Sequence, residues 1–153
     1  MQIYTVALFG HRHVRDLNQI EEHLAPLVKA LIQTKPYVSF LIGRHGAFDE
    51  FAASVIKQIQ KSTGRENSEL TLVLPYPVAD LPYYEDYYDG VLIPDAVRDA
   101  HPKSAIALKN RWMVEQSKLV IAYVERNTGG AYAAVRYAHR LSKKVVNLAV
   151  PSP

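Results

Sequence analysis

Three short segments combine glycine with residues able to hold an anion: Gly10-His11-Arg12-His13, Gly43-Arg44-His45-Gly46 and Asn127-Thr128-Gly129-Gly130-Ala131. Each stands between an apolar run and an amphipathic stretch. At such a place, backbone N–H groups at a helix start can meet a phosphate in the positive end of the helix dipole. In the third segment Gly129 and Gly130 permit that approach without a lysine. Neither a Walker lysine nor a G-x-G-x-x-G pattern accompanies them, and a tight strand-to-helix turn is the plainer alternative. Arg12 can pair bidentately with phosphate or carboxylate, and His11 can donate to a phosphate or act as acid or base. Gly43, Gly46 and Asp49 open a further helix. There Asp49 accepts ribose hydroxyls or fixes Arg12, or else is an ordinary first-turn carboxylate.

Other groupings say less. His11-x-His13 has a metal-like spacing to which His45 or Asp49 can add ligands, but side chains two apart diverge unless the segment is extended, so no bound metal is expected. Arg111, within Lys109-Asn110-Arg111-Trp112-Met113-Val114-Glu115, neighbours an apolar helix face and can point to a ligand or simply be solvated. Asp49, Glu50 and Glu115 are available for acid–base work, although nothing in their spacing selects a pair. A G-x-S-x-G elbow is absent, which removes that serine-hydrolase reading. Tyr76, Tyr83, Tyr84, Tyr87 and Tyr88 can stack on a base, form a self-association surface, or pack beneath a loop.

The elements that position these residues follow from periodicity. Ile3 to Phe9 is an apolar run stopped by Gly10, as in a strand buried on both faces of a parallel sheet. Asp16 with Gln19 signals a helix start, and Leu17, Ile20, Leu24, Leu27, Val28 and Leu31 continue at helical spacing to Pro36, with Pro26 as a candidate kink. Tyr37 to Ile42 predicts a second strand, and the helix after Gly46 carries Phe48, Phe51, Ala52, Val55 and Ile59 before Gly64. Leu70 to Leu74 is a third strand ended by Pro75-Tyr76-Pro77, and Val78 to Pro102 is read as irregular. A helix from Lys103 to Gln116, a strand Leu119 to Val124, a helix Gly130 to Ser142 and a strand Val145 to Val150 complete the pattern. The alternation predicts one α/β domain over residues 1–153, a Rossmann-like doubly wound parallel sheet of about five strands in the order 3-2-1-4-5. Ligands in such sheets bind outside the carboxyl ends of the strands, where the order reverses. The glycine-bearing segments all fall there.

Composition narrows the classes. The chain has 153 residues and no cysteine, which removes disulfide scaffolds, thiolate metal sites and cysteine nucleophiles. Apolar runs stop well short of the roughly 18 residues a spanning helix needs, and the first residues lack the basic region of a signal peptide. A cytoplasmic protein without membrane partners is expected. The formal charge of +3 is spread along the chain, and the densest basic stretch, Arg136 to Lys144, holds four Lys and Arg. A dedicated nucleic-acid binder is therefore not the first expectation.

Phe9-Gly10-His11-Arg12, Gly43-Arg44-His45-Gly46-Ala47-Phe48-Asp49, Asn110-Arg111-x-Met113-Val114 and Asn127-Thr128-Gly129-Gly130-Ala131 with Tyr137-Ala138 together resemble the SLOG superfamily. Within it the chain looks like the small YpsA-like bacterial proteins of unknown function. The resemblance covers nearly the whole chain and keeps the order and spacing of the motifs. It implies a Rossmann-like fold and a nucleotide pocket. The superfamily includes the lonely-guy phosphoribohydrolases, the single-stranded DNA-binding module of DNA processing protein A, and members that sense ADP-ribose or NAD products. The phosphoribohydrolase pattern P-G-G-x-G-T-x-x-E, laid over Thr128 onward, finds no carboxylate where its catalytic glutamate should stand, at Val135-Arg136, while Arg111 matches its helix arginine. The resemblance thus implies a nucleotide or nucleotide-sugar binding protein of the ADP-ribose or NAD-derivative class, acting as sensor or regulator rather than enzyme. Phosphate would lie on Gly129 to Ala131, its charge on Arg12 and Arg111, ribose on Asp49 and the base under a tyrosine near the third strand. An N-glycosidase using Asp49 or Glu115 as a displaced acid is one alternative, and a single-stranded nucleic-acid module is another. Beyond this ligand no cofactor is expected, and a homo-oligomer stays open.

Overall fold

The computed structural model describes residues 2–149. Along the chain run β1 (Tyr4–Gly10), α1 (Leu17–Thr34), β2 (Val38–Ile42), α2 (Ala47–Thr63), β3 (Ser68–Val73), α3 (Leu81–Tyr87), β4 (Gly90–Leu92), α4 (Pro102–Gln116), β5 (Leu119–Tyr123), α5 (Gly130–Arg140) and β6 (Lys144–Asn147). The strands form one parallel sheet of six, ordered β4-β3-β2-β1-β5-β6. This is the α/β doubly wound arrangement expected from the alternation of strands and helices, with one strand more than predicted.

The extra strand is β4, which follows α3 within the stretch read as irregular. It is only three residues long, too short for any periodicity to register. What holds it is non-local: Asp89 accepts the Leu70 N–H on its side chain (2.7 Å) and returns its own N–H to the Leu70 carbonyl (2.9 Å). At the other edge β6 ends at Asn147, whose side chain bridges both backbone groups of Val124. The predicted continuation to Val150 lies outside the described residues.

Side-chain alternation along β1 divides the core between the two faces of the sheet. Val6 and Leu8 face α1 and α2, joining Ile20, Leu24, Val28, Phe48 and Ile56. Ala7 and Phe9 face α4 and α5, where they meet Met113, Val114, Ala134 and Ala138. The helix predicted to run to Ser142 ends at Arg140, and Leu141 beyond it is exposed. Asp16 caps α1 by accepting the Gln19 N–H (3.2 Å). Pro26 sits inside that helix on its exposed side, where the carbonyl it leaves unpaired can turn to water. No helix among the described residues is long and apolar enough to cross a membrane.

Candidate anion-binding cleft

The sheet order reverses between β1 and β5, and a cleft of about 370 Å³ opens there at the carboxyl ends of the strands. Its walls come from the loops after β1, β2 and β5 and from one side of α4. Of the residues singled out from the sequence, Gly10, His11, Arg12 and Gly43 line it, as do Asp49 and the run Thr128, Gly129, Gly130 and Ala131.

The loops are braced to one another. His11 is buried, and its Nε2 accepts the backbone N–H groups of Glu125 (2.9 Å) and Arg126 (3.3 Å). That pairing places the ring proton on Nδ1 and ties the end of β1 to the loop after β5. Burial, then the neighbouring Arg126, hold the His11 pKa below the usual histidine range, so the ring stays neutral and keeps its acceptor. With Nε2 so occupied, the role expected of it, phosphate donor or acid or base, is left to Nδ1. His11 is buried and His13 exposed, both lining the cleft, and no cluster of three or more metal-ligating residues occurs among the described residues. A second brace runs from the Ala47 N–H to the Arg12 carbonyl (2.8 Å).

Two of the glycines serve packing as much as access. A Cβ on Gly10 would lie 2.1 Å from Phe48 Cγ, so the first turn of α2 closes onto β1 only because that Cβ is missing. Gly46 packs on the Arg12 backbone and does not line the cleft. Gly129 has φ +96° with nothing within 4 Å of its Cβ position, which leaves the start of α5 open toward the cleft.

At the floor, Gly43 marks where two opposite charges converge: its Cβ position lies 2.9 Å from Lys109 Nζ and 3.1 Å from Asp49 Oδ2. Asp49 is 8% exposed and accepts the His45 N–H at 3.1 Å. Burial pushes its carboxyl up to about 6, against the pull of Lys109. Lys109 is 4% exposed, and burial lowers its ammonium below the ordinary lysine range despite Asp49. Among the described residues no carboxylate lies within ion-pair distance of Lys109 and no acceptor is hydrogen-bonded to its Nζ. A desolvated ammonium facing a cleft without a contact partner is a receptor for an anion. His45 is half-buried with its buried Nε2 unpartnered, and burial, then Lys109, Arg44 and Arg12, hold its pKa below the usual histidine range.

Lys109 is the residue the sequence reading passed over in favour of Arg111. The signal was present: Ala105, Lys109 and Met113 recur at i, i+4, i+8 and are all buried. A lysine inside an apolar stripe faces the core, whereas Arg111, two residues on, is turned away and exposed. Arg111 lies over the Tyr137 ring (5.3 Å) in a neighbouring hollow and does not line the cleft. Glu115 is likewise exposed and accepts the Tyr137 hydroxyl, and Asn127 is exposed on the loop after β5 without lining the cleft. Val135 is buried on the inner side of α5, and Arg136, on which the ninth position of the phosphoribohydrolase pattern falls, is exposed, so neither supplies that family's acid. None of the five tyrosines near β3 lines the cleft. Tyr83, Tyr84, Tyr87 and Tyr88 pack on one another with ring separations of 5.0–6.5 Å, and Arg44 and Lys57 lie over Tyr84 and Tyr87.

No protein-family model matches the chain, and no curated protein matches it. Among solved structures it is similar to DNA processing protein A from Helicobacter pylori, described by its single-stranded DNA binding mode, with TM-score 0.64 and 17% identity over 93% of this chain and 63% of that one. It is also similar to DNA processing protein A from Streptococcus pneumoniae, with TM-score 0.70 and 16% identity over 99% of this chain and 51% of that one. The chain therefore spans less than two thirds of either protein, and at these identities the likeness is one of fold.

Proposed function

We propose that the cleft binds the phosphate backbone of a single-stranded nucleic acid. The observation that carries this reading is Lys109: an ammonium 4% exposed, without a contact partner, at the floor of a cleft whose other wall is the start of α5. A phosphate there gains the ammonium and the fixed N–H groups of Gly129 to Ala131, while the exposed guanidinium groups of Arg12 and Arg126 at the rim meet the flanking phosphates. The fold shared with DNA processing protein A supports a strand as the source of that phosphate. The SLOG resemblance, its YpsA-like branch included, agrees at the level of a phosphate-bearing ligand. The nucleotide-sugar sensor expected from the sequence is less well served, because the tyrosines assigned to its base are packed elsewhere and Arg111 lies outside the cleft.

Binding of a fluorescein-labelled oligothymidylate of about 12 nucleotides, followed by anisotropy from about 50 to 200 mM salt, tests this. With Lys109, Arg12 and Arg126 each meeting a phosphate, log K should fall against log salt with a slope of about −2. Lys109→Met should weaken binding roughly 10- to 150-fold, the range for a hydrogen bond to a charged group. A flat salt dependence, or Lys109→Met binding like the wild type, overturns the reading.

A further inference from the structure

A second hollow, of about 590 Å³, lies between α4 and α5 and is continuous with the cleft through Ile106, Asn110 and Gly130, which line both. Its chemistry differs from the cleft's. Two half-buried rings, Tyr132 and Tyr137, form its aromatic surface. Arg111 and Arg140 lie 5.3 and 5.4 Å from the Tyr137 centroid, and Arg136 lies 5.9 Å from that of Tyr132. The Tyr137 hydroxyl donates to Glu115, which ties the ring down and occupies the one carboxylate on α4. α5 itself carries no acidic residue. An ordinary solvated helix face mixes both signs of charge; here Tyr132, Arg136 and Arg140 recur at i, i+4, i+8 with only cations and rings.

We propose that this hollow is a base-stacking subsite for a single strand whose backbone enters the adjoining cleft, with Tyr132 and Tyr137 as the platform and Arg111 and Arg136 as its cationic rim. The proposal rests on the nucleic-acid reading of the cleft and extends it to a second surface. Every nucleobase has a π-face, so a ring platform beside guanidinium planes accepts bases of any sequence while the cations meet the flanking phosphates. An acidic peptide would use the cations and leave the rings idle. The strand is favoured because the hollow opens directly into the site where a phosphate finds Lys109.

The test compares two labelled probes of about 12 nucleotides, an oligothymidylate and an abasic strand with the same phosphates. The wild type should prefer the base-bearing strand by roughly 5- to 150-fold, the effect of one stacked base. Tyr132→Ala, a change outside the packed core clusters, should collapse that ratio toward one, and Tyr132→Phe, which keeps the ring, should restore it. A ratio unchanged in both Tyr132→Ala and Tyr137→Ala overturns the proposal. So does displacement of the oligothymidylate by polyglutamate as readily as by unlabelled oligothymidylate, since the hollow would then be a general polyanion patch. Lys109→Met separates the two claims: wild-type affinity for both probes defeats the reading of the cleft, whereas the tyrosine-dependent ratio alone decides the subsite.

Discussion

The cleft between β1 and β5 and the hollow between α4 and α5 share residues, yet they hold positive charge in opposite ways. In the cleft, Lys109 and Asp49 are buried together beneath loops cross-braced by His11 and by the Ala47–Arg12 backbone bond. In the hollow, Arg111, Arg136 and Arg140 are exposed and rest on tyrosine rings. A desolvated charge interacts strongly and only in one geometry; a solvated one interacts weakly and adapts. On the proposed reading the pair divides labour, the cleft fixing the backbone and the hollow accommodating whatever base follows.

The largest effect that can break this contrast is Lys109→Met, with its loss of roughly 10- to 150-fold for base-bearing and abasic strands alike. If Arg136→Ala cost as much, the distinction between buried and solvated charge would be wrong. A comparable effect falls on folding: Gly10→Ala should cost about 1–3 kcal/mol, because its new methyl meets the Phe48 ring, lowering Tm by about 2–10 °C in thermal melts. An unchanged Tm would mean that α2 does not fix the cleft wall.

Asp49 supplies an intermediate effect with a defined pH dependence. With its carboxyl pushed up to about 6 by burial, the native state holds this proton more tightly than the unfolded chain does. The associated stabilisation is complete below the unfolded value of about 4 and is lost as pH rises through about 6. Asp49→Asn should thus raise Tm at pH 7 and leave it unchanged near pH 4. Protonation of Asp49 also removes a negative charge beside Lys109. Oligothymidylate affinity should accordingly rise by roughly tenfold between pH 7.5 and 5, and Asp49→Asn should flatten that rise. The smallest effect belongs to the hollow: Arg136→Ala should weaken strand binding about two- to fivefold and reduce the salt slope by about 0.7.

Much of the cleft was legible before any coordinates, because the βα order dictates where loops gather. Gly10, His11, Arg12, Gly43, Asp49 and Thr128 to Ala131 come together for that reason. Arg111, Glu115 and Gly46 do not join them, and Lys109 replaces Arg111. That exchange was a matter of helical phase: neighbours on a helix point about 100° apart, so naming the right helix does not name the right residue. The tyrosines went astray differently. Their density marked a cluster, but α3 turns it against α2 and away from the cleft, with Lys57 and Arg44 over its rings.

What the amino-acid order determined by itself is the strand and helix alternation, the parallel sheet and the edge at which ligands meet it, since each follows from local periodicity and from the handedness of βαβ connections. Only the tertiary structure decided that β4 would pair at all, that the His11 ring would accept two backbone N–H groups, and that a lysine and an aspartate would converge at Gly43 without touching. Those outcomes depend on distances between residues far apart in sequence, and on the burial that leaves the Lys109 ammonium desolvated where a helix surface would have solvated it.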